Sequence, residues 1–413
     1  MQRFIKSILT PTARSSAFYY FGNFAISFLR YLFHLLLLRL LLPADYGEFL
    51  AYLSLLYLLG IPNGTVSNVV IKYVAGFRGK KDNLSINELF YYLIEKLTPL
   101  SLGLGFLLIF FAKFLSIIFK AHPAAFVILG LYLFVSLVST LVRSYLLAFQ
   151  RFVAQILLGF LEIITTLILA FLFINLGLSA TGAVLALILA GVVSLVICLV
   201  LIRKAIFPAR LHSRKPFKLS SFTGYSLVNA IGSLSLISTD ILLVRYFFSE
   251  HASGIYSSLS VIGRMIYFGL GPLIALVLPV VSHRHAATGA TRGVFVKLGS
   301  VVLLFGLSAT LIFSLFPEFI IGTLSGKNYL EAAVFLPSVA TGMLFFSFNL
   351  FIITYFMAIG RPQINLYLLL ATIAQPVLIS VFHNSLNQVV WLNLTIETAL
   401  FVSLIWQVRK QQI

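Results

Sequence analysis

The sequence predicts an all-α polytopic membrane protein with about twelve transmembrane helices in two six-helix lobes. Three observations point there. The 413 residues are 60% hydrophobic and only 10% charged, with a mean hydropathy of +1.06. Soluble domains run about 45–50% apolar and about 25% charged, so this chain is not one of them. Apolar runs on the order of 20 residues, long enough to cross a bilayer, recur from end to end. A transmembrane β-barrel would show alternating segments of about ten residues instead, and these are absent.

Hydropathy places the spans at about 16–42, 49–75, 97–119, 123–148, 152–175, 179–202, 221–247, 253–281, 294–316, 330–358, 363–383 and 388–408. The first follows a basic start, MQRFIKSILTPTAR, and has no small-residue cleavage site. It reads as an uncleaved signal-anchor helix. Residues 84–95, LSINELFYYLIE, look amphipathic. They suit either a helix lying at the cytoplasmic interface or the ordinary start of the third span. Pro62, Pro272 and Pro279 interrupt spans two and eight, where proline bends a helix and frees backbone groups. A bend at Pro62 and again at Pro272 fits a gating element. The tenth span opens on polar residues and Pro337, which leaves its start irregular.

Charge then orients the spans. A net charge of +18 on a soluble protein would suggest nucleic acid. Here the Lys and Arg lie mostly between apolar runs, as expected for cytoplasmic loops beside anionic lipid, and no nucleic-acid partner is expected. With the N-terminus inside, the cytoplasmic segments hold twenty-two of the 29 Lys and Arg, Arg143 and Arg151 among them. The outer loops hold only Lys113, Lys120 and Lys327. Both termini are therefore expected in the cytoplasm, with the chain crossing the cell (inner) membrane many times. Cys198 is the lone cysteine, so no intramolecular disulfide forms.

The longest strongly basic connector, RKAIFPARLHSRKPFKLS at 203–220, falls at the midpoint. Shifting the first span onto the seventh aligns Ser15 with Ser221, Tyr19 with Tyr225, Asn23 with Asn229, Ser27 with Ser233 and Arg39 with Arg245, without a gap. At a slightly larger shift Pro62 meets Pro272 and Arg151 meets Arg361. The chain thus reads as an N-terminal lobe, 1–210, and a C-terminal lobe, 211–413. Each has an even number of spans, so the lobes are parallel repeats about a pseudo-two-fold axis along the membrane normal. That arrangement suits a transporter whose central cavity opens alternately to each side.

Residues 26–41, ISFLRYLFHLLLLRLL, carry Arg30, His34 and Arg39 inside the greasiest segment. At about 100° per residue, Tyr19, Asn23, Ser27, Arg30 and His34 share one stripe and Arg39 points away. In span seven Tyr225, Asn229, Ser233 and Asp240 share a stripe, with Arg245 opposite. An ionised group in hydrocarbon costs at least about 2.5–3.5 kcal/mol, so these groups should face protein or water. Arg30 lies near mid-span, where its guanidinium suits a phosphate or carboxylate; a structural pair with another helix is the alternative. Arg39 and Arg245 lie near span ends and read as snorkelling to headgroups.

His34 and Asp240 occupy equivalent positions and would make a titratable pair able to couple proton movement to a conformational switch. The alternative pairs Asp240 with Arg264 in span eight. Glu162 in span five and Glu397 in span twelve are the remaining intramembrane acids, each an ion-coupling candidate or a structural partner. Enzyme signals are poor: no Walker A, HExxH or GxSxG pattern occurs. His283-Arg284-His285 reads as a basic loop, and no metal or cofactor is expected.

Several stretches resemble the polysaccharide-biosynthesis flippases of the multidrug/oligosaccharidyl-lipid/polysaccharide superfamily. LLLRLLLPADYGEFLAYLSLLYLL (36–59) is similar to that family's first-to-second helix turn, with Pro43, Asp45, Tyr46 and Gly47 in the Pro-x-Asp/Glu-Tyr-Gly positions. SNVVIKYVAG (67–76) is similar to its end of span two, and AIGRPQINLYLLL (358–370) to its Gly-Arg-Pro approach to span eleven. The resemblance implies transfer of a polyprenyl-pyrophosphate-linked oligosaccharide from the inner to the outer leaflet, for O-antigen, capsule or exopolysaccharide assembly. It implies a cationic cavity reading the pyrophosphate and glycan, a role matched by Arg30 and Arg264, with Asn23, His34, Asn229 and Asp240 as further lining candidates. Partners would be membrane lipids and the glycan polymerase or glycosyltransferases of the same pathway. Two departures stand out: Asp240 and Glu162 make the inventory less uniformly positive, and the two extra C-terminal helices of the peptidoglycan-precursor branch are missing. The alternative within the superfamily is an ion-coupled multidrug antiporter working through Asp240, Glu162 or Glu397.

Overall fold

A computed structural model describes residues 11–79, 82–206 and 221–410. Most of the basic connector 203–220 and the first ten residues of the basic start lie outside the described residues. All regular structure among the described residues is helical. In chain order the helices are α1 (Pro11–Leu40), α2 (Pro43–Leu59), α3 (Ile61–Gly79), α4 (Asn83–Phe110), α5 (Ala112–Ile118), α6 (Pro123–Ala148), α7 (Phe152–Phe173) and α8 (Ser179–Ile206). After the connector come α9 (Ser221–Leu236), α10 (Thr239–Phe247), α11 (Glu250–Thr288), α12 (Arg292–Leu315), α13 (Pro317–Leu324), α14 (Leu336–Ala358), α15 (Asn365–Val381) and α16 (Leu386–Lys410).

Ten of these stretches are long and apolar enough to cross a membrane, or eleven when the broken pair α2–α3 counts as one span. One of the ten, Phe152–Arg203, is 52 residues long and contains both α7 and α8. These two pack along one another, turning at Gly177 (φ 86°) and Ser179 (φ 41°). Gly177 takes the left-handed backbone at no steric cost, which is what lets so apolar a run reverse. Counting α7 and α8 separately gives the expected twelve. The protein is a multi-pass membrane protein.

The chain folds into two compact units. Unit 1 takes Met1–Leu40 and Leu59–Thr223; unit 2 takes Leu41–Leu58 and Gly224–Ile413. Unit 1 has its core where α3, α4, α6, α7 and α8 meet, around Val70, Val74, Leu89, Leu141, Tyr145 and Ile202. Unit 2 is cored by α11, α12, α14, α15 and α16, around Val277, Val302, Phe351, Ile353, Leu368 and Leu404. Large apolar side chains such as Phe106, Ile168, Phe305 and Trp406 remain exposed. In water they would be aggregation surface, but against acyl chains they are the expected solvent face, since lipid is as apolar as they are.

Unit 2 includes α2, the first half of span two. Its first turn is held by three devices. A Cβ on Gly254 of α11 would overlap the Pro43 carbonyl, and one on Gly47 would come within 2.7 Å of the Gly254 nitrogen, so only glycines permit this approach. Tyr329, in the 3₁₀ turn Lys327–Phe335, donates its hydroxyl to the Leu41 carbonyl at 3.0 Å. Arg245 donates to the Ala44 carbonyl at 3.1 Å and lies 4.0 Å from Glu250. Arg245 is 0% exposed, so the snorkelling role expected for it is wrong. Its position near the end of α10 suggested lipid headgroups, but the docked turn supplies a carbonyl to cap and seals it from solvent. Arg39 is exposed near the end of α1.

Other local expectations divide. Residues 84–95 belong to one unbroken helix, α4, with Ile86, Leu89 and Phe90 buried, so this segment is the start of span three and not an interfacial helix. Asp82 caps it, accepting from the Ser85 amide at 3.0 Å. The irregular start of span ten is the 3₁₀ turn, and Pro337 sits in the first turn of α14, where its missing N–H costs nothing. Span two breaks at Gly60, with Pro62 in the first turn of α3. Span eight does not break: α11 runs helical past Pro272 and Pro279 for 39 residues. The interruption expected there is therefore corrected: the backbone stays helical at both prolines, as membrane helices can where other groups satisfy the freed carbonyls. Arg143, counted above among loop charges, lies inside α6.

Candidate functional site

Two polar clusters stand inside the units, and each is built from helix register. In unit 1, α1 runs alongside α7. Gly22 lies against Ile156, Gly159 against Ile26, and Arg30 then meets Glu162. Steps of four along α1 against steps of three along α7 keep both on facing stripes of parallel helices. The two glycines let the helices close in, a small-residue device common in membranes. Arg30 Nη2 lies 3.8 Å from Glu162 Oε1. The other carboxylate oxygen accepts from Arg143 of α6, which also donates to Ser194 Oγ of α8 at 2.6 Å. Four helices thus share one acid between two arginines. Exposure is graded along the row: 56% for Arg30, 24% for Glu162 and 19% for Arg143. Tyr132 of α6 is an electrostatic neighbour of all three.

In unit 2 the seventh span is broken. α9 ends at Leu236 and α10 begins at Thr239, so carbonyls lose their intrahelical partners in the apolar interior. They are satisfied from other helices. Gln375 of α15 donates to Leu236 O at 2.9 Å, and the buried Arg264 of α11 donates to Ile237 O. Unwound backbone beside a cavity is tolerated in a membrane only when capped in this way. Asp240 follows directly, in the first turn of α10. A one-way row of hydrogen bonds ends on it: Gln375 donates to Asn393 Oδ1 at 2.9 Å, Asn393 to the Tyr256 hydroxyl at 2.8 Å, and Tyr256 to Asp240 Oδ2 at 2.6 Å.

Asp240, Tyr256, Gln375, Asn393 and Glu397 line one cavity with Ser260 and the apolar faces of α11 and α14. A water-sized molecule's centre has about 40 Å³ of it to move in, where one ordered water needs roughly 10–15 Å³. Glu397 accepts from Asn349 Nδ2 at 2.9 Å. Both carboxylates are sealed, at 5% and 8% exposure. Buried Gln375 Oε1 and Ser260 Oγ have no hydrogen-bond partner among the described residues. The cavity thus brings two acids and several neutral polar groups together within largely apolar walls, with room for water-sized occupants.

The structure therefore distributes the sequence candidates. Arg30 and Glu162 are joined, and so are Asp240 and Glu397, through one cavity. Arg264 donates to a backbone carbonyl and also stands close enough to Asp240 to interact with its charge, as the alternative pairing expected. Asn229 donates to Asn365 Oδ1 at 3.0 Å, away from the row that ends on Asp240. Asn23 and His34 are half-buried on α1, in the other unit from Asp240. Sequence reasoning missed Arg143, Tyr256, Gln375 and Asn393. Arg143 was findable, since it sits five residues inside its span; the three neutral residues carry no hydropathy signal.

Comparison with known proteins places this geometry. The family described as "Polysaccharide biosynthesis protein" matches residues 36–334. No curated protein matches. Among solved structures, the chain resembles a multidrug resistance MATE family transporter of the MOP superfamily in its inward-facing conformation (TM-score 0.74, 12% identity, 94% of this chain and 95% of that one). It also resembles the lipid II flippase MurJ in an inward closed conformation (TM-score 0.73, 14% identity, 95% and 87%). An outward-facing MATE transporter matches at TM-score 0.60 and 14% identity, over 97% of each chain. At these identities the likeness is one of fold, and the family match adds membership: the chain belongs to the polysaccharide biosynthesis protein family and carries the two-lobe helical fold seen in MATE transporters and MurJ.

Proposed function

We propose that this protein is a flippase that moves a polyprenyl-pyrophosphate-linked oligosaccharide from the inner to the outer leaflet of the cell membrane, with Arg30 contacting the pyrophosphate. One observation carries the reading: a mid-span arginine, over half exposed, whose ion pair with Glu162 is stretched to 3.8 Å. Such a guanidinium is available to a phosphate, which it binds with two parallel charge-assisted bonds. Family membership supplies the glycan context. The division into lobes 1–210 and 211–413, cytoplasmic termini, alternating access and an association with the polymerase or glycosyltransferases of the pathway belong to this proposal. So does the absence of catalysis. The test is leaflet transfer in proteoliposomes: wild type should flip such a lipid and Arg30→Ala should lose at least about tenfold, ~1.4 kcal/mol. Wild type failing across a panel of these lipids would sink the reading.

A second reading has its own observation. The sealed Asp240–Glu397 cavity suits a coupling proton or monovalent cation, which both an energised flippase and a multidrug antiporter use. Cationic drugs carried down a proton or sodium gradient, with no transfer of lipid, would favour the antiporter.

A further inference from the structure

The geometry points to Glu162 as an internal stand-in for the substrate's phosphate, holding Arg30 while the site is empty and passing to Arg143 alone when the pyrophosphate arrives. This inference rests on the reading of Arg30 given above.

The argument starts from unequal partners. Arg143 is mostly buried, hydrogen-bonds Glu162 directly and is pinned by Ser194. Arg30 reaches the other carboxylate oxygen only at 3.8 Å, beyond hydrogen-bonding distance, and is 56% exposed. A pair held beyond hydrogen-bonding distance is weak, so a phosphate making two charge-assisted bonds to the guanidinium displaces the carboxylate easily. The carboxylate does not then stand uncompensated, because Arg143 keeps it. Nor does Arg30 stand uncompensated in the empty protein, where a lone charge at mid-span is costly. An arginine with no acid would hold its lipid and resist release. One locked to its own acid would never take the lipid. Sharing Glu162 between a firm and a loose arginine gives the intermediate case.

Glu162 is thus a positioning residue acting through Arg30, with Arg143 setting how much of it Arg30 receives. Substitutions should move affinity in opposite directions. Glu162→Gln removes the competing anion, so the full-length protein in nanodiscs should bind farnesyl pyrophosphate about tenfold more tightly. In proteoliposomes the same variant should show a lower KM and a lower kcat, because release and the empty return leave Arg30 unpaired. Arg143→Met should weaken binding about tenfold, since Glu162 then turns wholly to Arg30. Arg143→Met with Glu162→Gln should restore it to the level of Glu162→Gln alone.

A purely structural carboxylate predicts something else: Glu162→Gln would lower kcat without lowering KM, and the double variant would be no better than Arg143→Met. Either result overturns the proposal. Should Arg143→Met fail to fold, Glu162→Gln decides by itself, since it keeps shape and hydrogen-bonding capacity. Arg30→Ala separates the two levels. If that variant binds farnesyl pyrophosphate as well as wild type, the reading of Arg30 falls. If it loses binding while Glu162→Gln fails to tighten it, only the stand-in role falls.

Discussion

Unit 1 and unit 2 each bury a charged cluster in apolar surroundings, and they do so with opposite chemistry. The unit 1 cluster has one acid and two arginines, with a gradient of exposure that leaves Arg30 open. The unit 2 cluster has two acids, a row of neutral donors ending on Asp240, Asn349 donating to Glu397, the buried Arg264 nearby, and a cavity of water dimensions. The difference teaches what each can exchange. Under the function proposed above, an excess of fixed cation, partly solvated, exchanges anions. Under the same proposal, buried carboxylates beside amides, a hydroxyl and the buried Arg264 exchange protons or small cations.

The comparison breaks most severely if the sealed acids turn out to read substrate. Replacing both, as Asp240→Asn with Glu397→Gln, should lower gradient-driven transport about a hundred-fold, ~2.7 kcal/mol. Binding of farnesyl pyrophosphate measured in nanodiscs should stay within about twofold of wild type. A comparable loss of binding would erase the contrast between units.

Arg245 provides a control, being a buried charge outside the cavity that holds Asp240 and Glu397. Arg245→Met should leave the Ala44 carbonyl unsatisfied and cost about 1–3 kcal/mol of stability, read as a lower melting temperature. Transport per folded molecule should be unchanged, and a selective loss of transport would instead make Arg245 part of the machinery. Tyr256→Phe removes the last donor in the row and should cost about 0.5–1.5 kcal/mol, with coupling weakened and not abolished. Smallest of all, raising salt from about 0.1 to 0.5 M should weaken pyrophosphate binding two- to threefold, since Arg30 is exposed to screening. The same salt, at a fixed coupling-ion gradient, should leave the effect of Asp240→Asn unaltered.

The number of spans and the identity of the intramembrane charges were legible because both are set by transfer free energy, which the sequence carries residue by residue. What each charge touches was less so. The stripe extrapolated from Asn229 through Ser233 to Asp240 assumed one continuous helix, and the chain breaks between α9 and α10 at Ile237 and Ser238 with neither Gly nor Pro to announce it. Gln375 and Arg264, far along the chain, stabilise that break. Arg245 was misread for the same reason: its partner carbonyl, at Ala44, lies two hundred residues away. The pairing of Arg30 with Glu162 was closer to hand, needing only the Gly22 and Gly159 contacts that set the register.

The docking of α2 into unit 2 has a consequence for how the chain is made. Its first turn leaves the ribosome long before Arg245, 201 residues later, and Tyr329, 288 residues after Leu41. At about 5–20 residues per second, the segment waits on the order of tens of seconds for the helices that will hold it. Through that interval its first turn lacks the partners supplied by α10, α11 and the 3₁₀ turn, and unit 2 closes only as synthesis nears its end. The last-made helices therefore complete a body whose first piece was laid down almost at the start, and a truncated product lacking residues beyond about 325 would strand α2 with an unmet docking surface.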